Sequence, residues 1–339
     1  MANIVLYTPT DSDFPRLAWV SLITSLDYLP GLFTLAFSLK RVGTAYPLIA
    51  LYTESLPEEG LQALKARGIP ARRLETWRPK AAKELVDTRF NETWSRLSVF
   101  GMVEYSRLVV LDADMLVVKN MDELMNFELD SPEIEGRGSR IFGACHVCSC
   151  NPLKKSHYPA DWCVLCSLMC TQDTLWCTSN IENHDIRTSQ NCAYTTQHST
   201  PDQAQLEGRP SNTGVAMPNG GLLVLNPTKA VYNTIRIALD DPKTANYTFA
   251  DQEFLGDVFG NKWVGLPYIY NGIKSHRWPG VHDSIWRDDC VKNVHYPWNP
   301  KPWEMVIDVH NEDQTQQGWW RGIDDERKAA ERKLGIEVI

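Results

Sequence analysis

Two carboxylates one residue apart, Asp112 and Asp114, close the apolar run Leu108-Val109-Val110-Leu111. Alternate residues of an extended segment project to the same side, so both acids face one place. Two carboxylates held close repel each other unless a cation neutralises them. A hard divalent ion such as Mg²⁺ or Mn²⁺ prefers oxygen ligands and can bridge them to a diphosphate. It then offsets charge on a departing phosphate group. Taken alone, the pair also suits a solvated turn after a strand, so its chemistry depends on what positions it and what joins it.

The positioning elements read as an α/β chain. Strands are expected over Trp19–Thr24, Pro47–Tyr52, Ile69–Leu74 and Arg107–Leu111. Helices are expected from Pro30 to Arg41, from Pro57 to Arg67 with Gly68 just past the end, and over Thr93–Tyr105. Short apolar strands separated by helices predict a mainly parallel, Rossmann-like sheet with ligands at its carboxyl edge. Farther on, Ile141–Ala144 and Gly220–Asn226 read as strands, and Thr228–Leu239 and Ala250–Phe259 as helices. Asp324–Lys333 reads as a charged helix, and residues 150–212 show little periodicity.

Composition narrows the function class. With 34 Lys and Arg against 42 Asp and Glu, the 339-residue chain has a net charge of −8 and no basic cluster. That argues against nucleic acid or an anionic membrane as partner. Met1 to Arg16 lacks a basic segment followed by an apolar run, so no signal peptide is expected there. The most apolar stretch, Leu17 to Leu39, is broken by Asp27, Pro30 and Gly31, too soon for a bilayer span. The expected compartment is cytoplasmic. Eight of the nine cysteines fall between Cys145 and Cys192, and the odd total argues against a disulfide framework.

A second motif, His295-Tyr-Pro-Trp-Asn-Pro-Lys301-Pro302-Trp303, lies far along the chain. With Leu-Asp-Ala-Asp it makes the chain resemble glycosyltransferase family 8, which includes glycogenin and the galactinol synthases. Matching stretches, in order, are Val20–Thr24 with Tyr28 and Gly31, Trp94-Ser95-Arg96, Asn219-Gly220-Gly221, Asp251-Gln252 and Leu266–Asn271. The resemblance implies a single GT-A-like α/β domain over 17–310, with 163–190 as an irregular insertion and 311–339 as a charged tail. It implies a retaining transferase that moves a hexose, glucose or galactose, from a UDP-sugar to a hydroxyl acceptor such as myo-inositol.

The resemblance also implies the site. Asp112, Asp114 and His295 would ligate Mn²⁺, and Ala113 lies between the two acids. Leu22, Thr24 and Tyr28 would hold uracil and ribose. Arg96 stands where the family usually has Lys. Lys301 would contact the diphosphate. Asn219, Gly220, Asp251 and Gln252 would face the transferred sugar, with Asp251 or Gln252 the candidate for any protein nucleophile. Implied partners are the nucleotide-sugar donor and a small-molecule or glycan acceptor, with a homodimer compatible. Two departures stand out. Trp298 replaces the family's Gly three residues after the His, so the loop runs differently or an aromatic covers the site. Ser275–Gly280 lacks the tyrosine that glycogenin glucosylates on itself, which argues against self-priming.

Other readings of the same residues remain. Cys145, Cys148 and Cys150, then Cys163 and Cys166, have spacings compatible with zinc, so a zinc-stabilised interaction module is one alternative. A nucleotidyltransferase would carry a Gly-rich phosphate loop, which Leu22–Gly31 lacks. A transferase that binds UDP-sugar without turnover conflicts with the intact Asp112, Asp114, His295 and Lys301. Family members run almost directly from Asp161-Trp162 to Asn191-Cys192, so 163–190 is read as a translated unspliced intron or a lineage-specific loop.

Overall fold

The computed structural model describes residues 17–81, 93–155, 158–159, 162, 189–305 and 315–339. Met1–Arg16 and most of the expected insertion, with Cys163 and Cys166, lie outside the described residues. Among the described residues, no helix is long and apolar enough to cross a membrane.

Seven strands form the main sheet. They are β1 (Leu17–Ile23), β2 (Leu48–Tyr52), β3 (Ala71–Arg73), β4 (Arg107–Leu111), β6 (Phe142–His146), β7 (Pro218–Leu225) and β8 (Trp263–Gly265). Their order is β3-β2-β1-β4-β7-β6-β8. The pairs β3-β2, β2-β1, β1-β4 and β6-β8 are parallel. β7 runs antiparallel to both of its neighbours, β4 and β6. The sheet is thus mainly parallel, as expected, with one reversed strand at its centre.

Period-2 alternation explains why β4 is buried throughout. Leu108 and Val110 point into a core with Trp94, Leu97, Ile235 and Phe254. Val109 and Leu111 point into the opposite core with Leu32, Phe33 and Leu35. The first core is closed by α3 (Lys229–Ala238) and α4 (Asp251–Phe259), the second by α1 (Leu29–Arg41) and α2 (Glu58–Ala66). Local signals start and stop these helices. Pro30 sits at the first turn of α1 and Gly43 adopts φ +71° just beyond its end. The Thr228 hydroxyl accepts from the Val231 N–H at the start of α3. The segment expected as a helix over Thr93–Tyr105 is instead a 3₁₀ helix, Thr93–Gly101.

A second sheet completes the site edge. It contains β5 (Met115–Val117), β9 (Gly272–Ile273) and β10 (Asn293–His295) in the order β5-β10-β9. The C-terminal helix α5 spans Thr315–Lys333, beginning before the expected Asp324. Its Gly318 and Gly322 blur the helical pattern, but Trp320, Ile323, Arg327 and Glu331 form a buried face. The Thr34 hydroxyl of α1 donates to Asp324 at 2.8 Å. Arg327 bonds both Asp324 and Glu331, and Glu331 also takes both Nε and Nη2 of Arg67. Trp320 packs on Trp303 with centroids 5.7 Å apart, and Trp303 meets Tyr28 edge-on at 5.6 Å. The helix therefore buttresses residues beside the carboxyl edge of β1.

Breaking a buried ion network leaves charges without partners, at a cost of about 3–5 kcal/mol. Arg327→Ala should lower unfolding free energy by about that much in chemical denaturation. Truncating the exposed Arg41–Glu326 pair should cost less than about 1 kcal/mol. Equal effects from the two would mean that α5 is not held by this network.

Candidate active site

The reversal of β7 brings the site together. Its register sets Leu222 opposite Leu111, so Asn219-Gly220-Gly221 arrives at the carboxyl end of β4. The Asp112 N–H then donates to Gly221 O at 2.9 Å. In the small sheet, His295 lies opposite Met115, and the Tyr296 N–H donates to Asp114 O at 3.0 Å. Two sheets thus deliver Asp112, Asp114 and His295 to one point from two distant parts of the chain.

Both glycines of β7 are needed for this approach. A Cβ on Gly220 would lie 2.6 Å from an Asp251 carboxylate oxygen, and one on Gly221 would lie 2.5 Å from the His295 ring. The backbone itself forms the floor under the ionised groups.

His295 Nε2 lies 3.3 Å from Asp114 Oδ1 and 3.6 Å from Asp112 Oδ2. The tautomer of its neutral ring follows from a chain anchored on a backbone amide. The Gly221 N–H can only donate, so its partner at 2.9 Å is Asn219 Oδ1. That oxygen also accepts from Asn271 at 2.9 Å, so the Asn271 atom there is its NH₂. The Asn271 oxygen then faces His295 Nδ1 at 2.8 Å, and Nδ1 must carry a proton. In the neutral ring Nε2 keeps its lone pair, aimed between two carboxylates. Asp114 Oδ1 is buried and takes no hydrogen bond. With the ring neutral, the lone pair and Asp114 Oδ1 face one another without a shared proton, and a cation satisfies both. The residues present therefore fit a divalent ion held by Asp112, Asp114 and His295.

Two basic side chains balance the rest of the charge. Arg96 bonds Asp112 at 2.5 Å and Gly220 O at 2.6 Å, and reaches Asp251 at 3.4 Å. Burial opposes its charge, but Asp112, Asp251 and Asp114 outweigh that and keep it protonated. Burial pushes the Asp251 carboxyl up, against the opposing pull of Arg96. Lys301, also buried, bonds Asp114 Oδ2 at 2.5 Å and lies 5.4 Å from the centre of the Tyr28 ring. Burial alone would raise Asp114, yet the Lys301 ammonium outweighs it and holds the carboxyl well below the usual carboxylate range.

These groups line one cavity of about 260 Å³. Leu22, Thr24, Tyr28, Ala113, Asn219 and Gln252 also line it, so the expected residues converge, with Gly220 in the backbone behind them. Gln252 Oε1 accepts from the Gly220 N–H at 3.2 Å, which leaves its NH₂ as a donor for a ligand. At the start of α4, Glu253 reaches back to the Phe249 N–H at 2.6 Å and fixes the turn that presents Asp251. Ala250, beside it, is held at φ +45°.

Some site residues were not assigned a role from the sequence. Asn271 was part of a motif, and only the Asn219 contact reveals its task. Trp162 stacks on Phe249 at 5.0 Å with Tyr158 edge-on at 5.2 Å, forming an aromatic wall of the cavity. Isolated aromatics far apart in sequence gave no signal. Trp298 also lines the cavity and packs on Trp278 at 6.4 Å, so an aromatic does cover the position of the missing glycine. Lys274, buried in the 3₁₀ helix Lys274–Arg277, is lowered to about 8 by burial and by Lys301.

Comparison with known proteins agrees with this geometry. The model of "Glycosyl transferase family 8" matches residues 19–306. Galactinol synthase 7 of Arabidopsis thaliana is 26% identical, covering 88% of this chain and 79% of its own. Galactinol synthase 4 of the same plant is 25% identical, covering 96% and 86%. Among solved structures, the galactosyltransferase LgtC with donor and acceptor sugar analogues superposes with a TM-score of 0.51 at 16% identity, covering 91% of this chain and 95% of that one. The bifunctional glycosyltransferase WbbM gives 0.54 at 16% identity over 93% of this chain and 52% of that one. The chain has the GT-A fold of these glycosyltransferases, and it belongs to glycosyl transferase family 8.

Proposed function

We propose that this chain transfers a hexose with retention from a UDP-sugar to a hydroxyl acceptor, with Mn²⁺ at Asp112, Asp114 and His295. The observation that carries the proposal is the His295 lone pair aimed between two carboxylates by the Gly221–Asn219–Asn271 chain. Bound there, Mn²⁺ would neutralise charge on the diphosphate as the sugar–phosphate bond breaks. The Lys301 ammonium, a point charge on the same cavity, supplies a second partner for the leaving UDP. Leu22, Thr24 and Tyr28, at the carboxyl end of β1, are placed to hold the uridine.

Asp251 and Gln252 face the transferred sugar. The Gln252 NH₂ can donate to a sugar hydroxyl, while Asp251 is tethered by Arg96. The Trp162–Phe249 wall offers an apolar ring face, a surface suited to the C–H side of a hexose. The kinship with galactinol synthases supports UDP-galactose as donor and myo-inositol as acceptor. The buried Ser275 and His276, in the segment that lacks glycogenin's tyrosine, fit an acceptor that is a separate molecule. A homodimer is compatible with these assignments.

UDP release should require Mn²⁺, prefer one UDP-hexose of a tested panel and rise with myo-inositol. No UDP-sugar binding or turnover, with or without metal, would end the transferase proposal. Asp114→Asn should lower kcat by about 100-fold or more while circular dichroism shows the fold retained. Global unfolding of that variant would make the carboxylate structural. Asn271→Ala frees the His295 ring, so the half-saturating Mn²⁺ concentration should rise by about 10–100-fold, with activity recovering at high Mn²⁺. An unchanged metal dependence would remove Asn271 from the positioning chain.

A further inference from the structure

A second cluster lies in the irregular half of the chain, outside the three ligands proposed above. The Sγ atoms of Cys148, Cys150 and Cys192 and a ring nitrogen of His282 all lie within 4.8 Å of one another, and all four residues are buried. The three sulfurs surround a single atom, His282 Nε2, at 3.4, 3.4 and 3.6 Å.

Those distances have a simple geometric meaning. Zinc bonds of about 2.3 Å to sulfur and about 2.0–2.1 Å to nitrogen, at tetrahedral angles, put sulfur and nitrogen about 3.6 Å apart. Each observed separation is close to that edge. Hydrogen bonding alone does not explain the arrangement, because Nε2 has one lone pair and three thiols converge on it. The other ring nitrogen is occupied: His282 Nδ1 lies 2.9 Å from His198 Nε2. With Nδ1–H donating to His198, this is the outer contact of a metal-binding imidazole, and Nε2 is left free for the ion.

The Ser189 N–H donates to Cys150 Sγ at 3.2 Å. The cysteines are free thiols in the structure. Three sulfurs and one imidazole, closed and buried, match a structural zinc site and not the oxygen-rich set that holds Mn²⁺.

We propose that Cys148, Cys150, Cys192 and His282 bind a structural zinc ion. The set differs from the sequence expectation. Cys145 bonds Pro267 O at 3.3 Å and stays outside the cluster, and His282 was not foreseen. Cys148 and Cys150 follow β6, Cys192 lies in the 189–217 segment, and His282 precedes β10. The ion would join three stretches that share no strand ladder. Since Val147 and Cys148 line the cavity, the joint braces its wall.

The test needs no knowledge of the substrates. The full chain, purified under reducing conditions and desalted, should retain about one zinc per chain by elemental analysis. Cys192→Ser and His282→Ala should lose it, whereas Asp112→Ala and Cys290→Ser should keep it. Replacing the metal with Co²⁺ in the unaltered chain should give tetrahedral d–d and sulfur-to-cobalt charge-transfer bands, a readout independent of whether the variants fold. Chelation should expose three additional reactive thiols and lower the melting temperature. Zinc lost with Asp112→Ala, a disulfide among these cysteines under reducing conditions, or a cobalt spectrum without sulfur bands would overturn the proposal. None of these outcomes depends on UDP-sugar turnover, so the two proposals fail separately.

Discussion

The constraint that shapes this molecule is the crowding of carboxylates at one sheet edge. At about 5 Å and an effective dielectric near 20, two like charges repel by about 3 kcal/mol. Asp112, Asp114 and Asp251 share that edge, two of them buried. Each carboxylate has a cationic or imidazole partner: Arg96 lies between Asp112 and Asp251, Lys301 sits on Asp114, and His295 faces Asp112 and Asp114. Arg96 contacts a carbonyl and two carboxylates at once, which needs a planar fork of donors. A lysine there would be a single point charge and would have to choose among them.

Such crowding is possible only because the backbone takes little room. β7 passes close beneath the ionised groups with no side chain at Gly220 or Gly221, and Asn219 turns its amide to start the chain ending at His295. Gly31 does the same at the opposite wall. A Cβ there would lie 2.6 Å from both Ala113 O and the Trp303 ring. The aromatic column Trp320–Trp303–Tyr28 then transmits the packing of the C-terminal helix to the side of the site where Lys301 sits.

Much of this was legible in the sequence. The apolar run before Asp112, the Asn-Gly-Gly before an apolar strand and the Pro and Gly marks around α1 and α2 are local signals, and local signals survive in a one-dimensional reading. The direction of β7 does not. A strand buried on both faces has the same apolar pattern whether it runs parallel or antiparallel. The 3₁₀ geometry of Thr93–Gly101 was hidden for a similar reason: apolar spacing close to three or four residues suits either helix. The start of α5 was masked by two glycines, and Arg327 and Glu331 read only as part of a charged helix, because their burial depends on Asp324 and Arg67 beside them. Asn271 and His282 were invisible as functional residues because their roles exist only through partners 24 and 52 residues away for Asn271 and 84 to 134 residues away for His282.

The two metal-competent clusters place opposite demands on neighbouring parts of one cavity. Asp112, Asp114 and His295 offer two oxygens and one nitrogen, with Asp112 open enough to leave coordination positions for a diphosphate. Cys148, Cys150, Cys192 and His282 offer a closed set of three sulfurs and a nitrogen. Zinc outcompetes manganese at almost any mixed site, so affinity alone would not keep the ions apart. Ligand softness does so by giving zinc a far better site nearby. With zinc limiting, the proposed sulfur set would fill first and leave the oxygen-rich site to the harder ion, and the bound zinc would hold the loop that carries Cys148 where it forms the cavity wall.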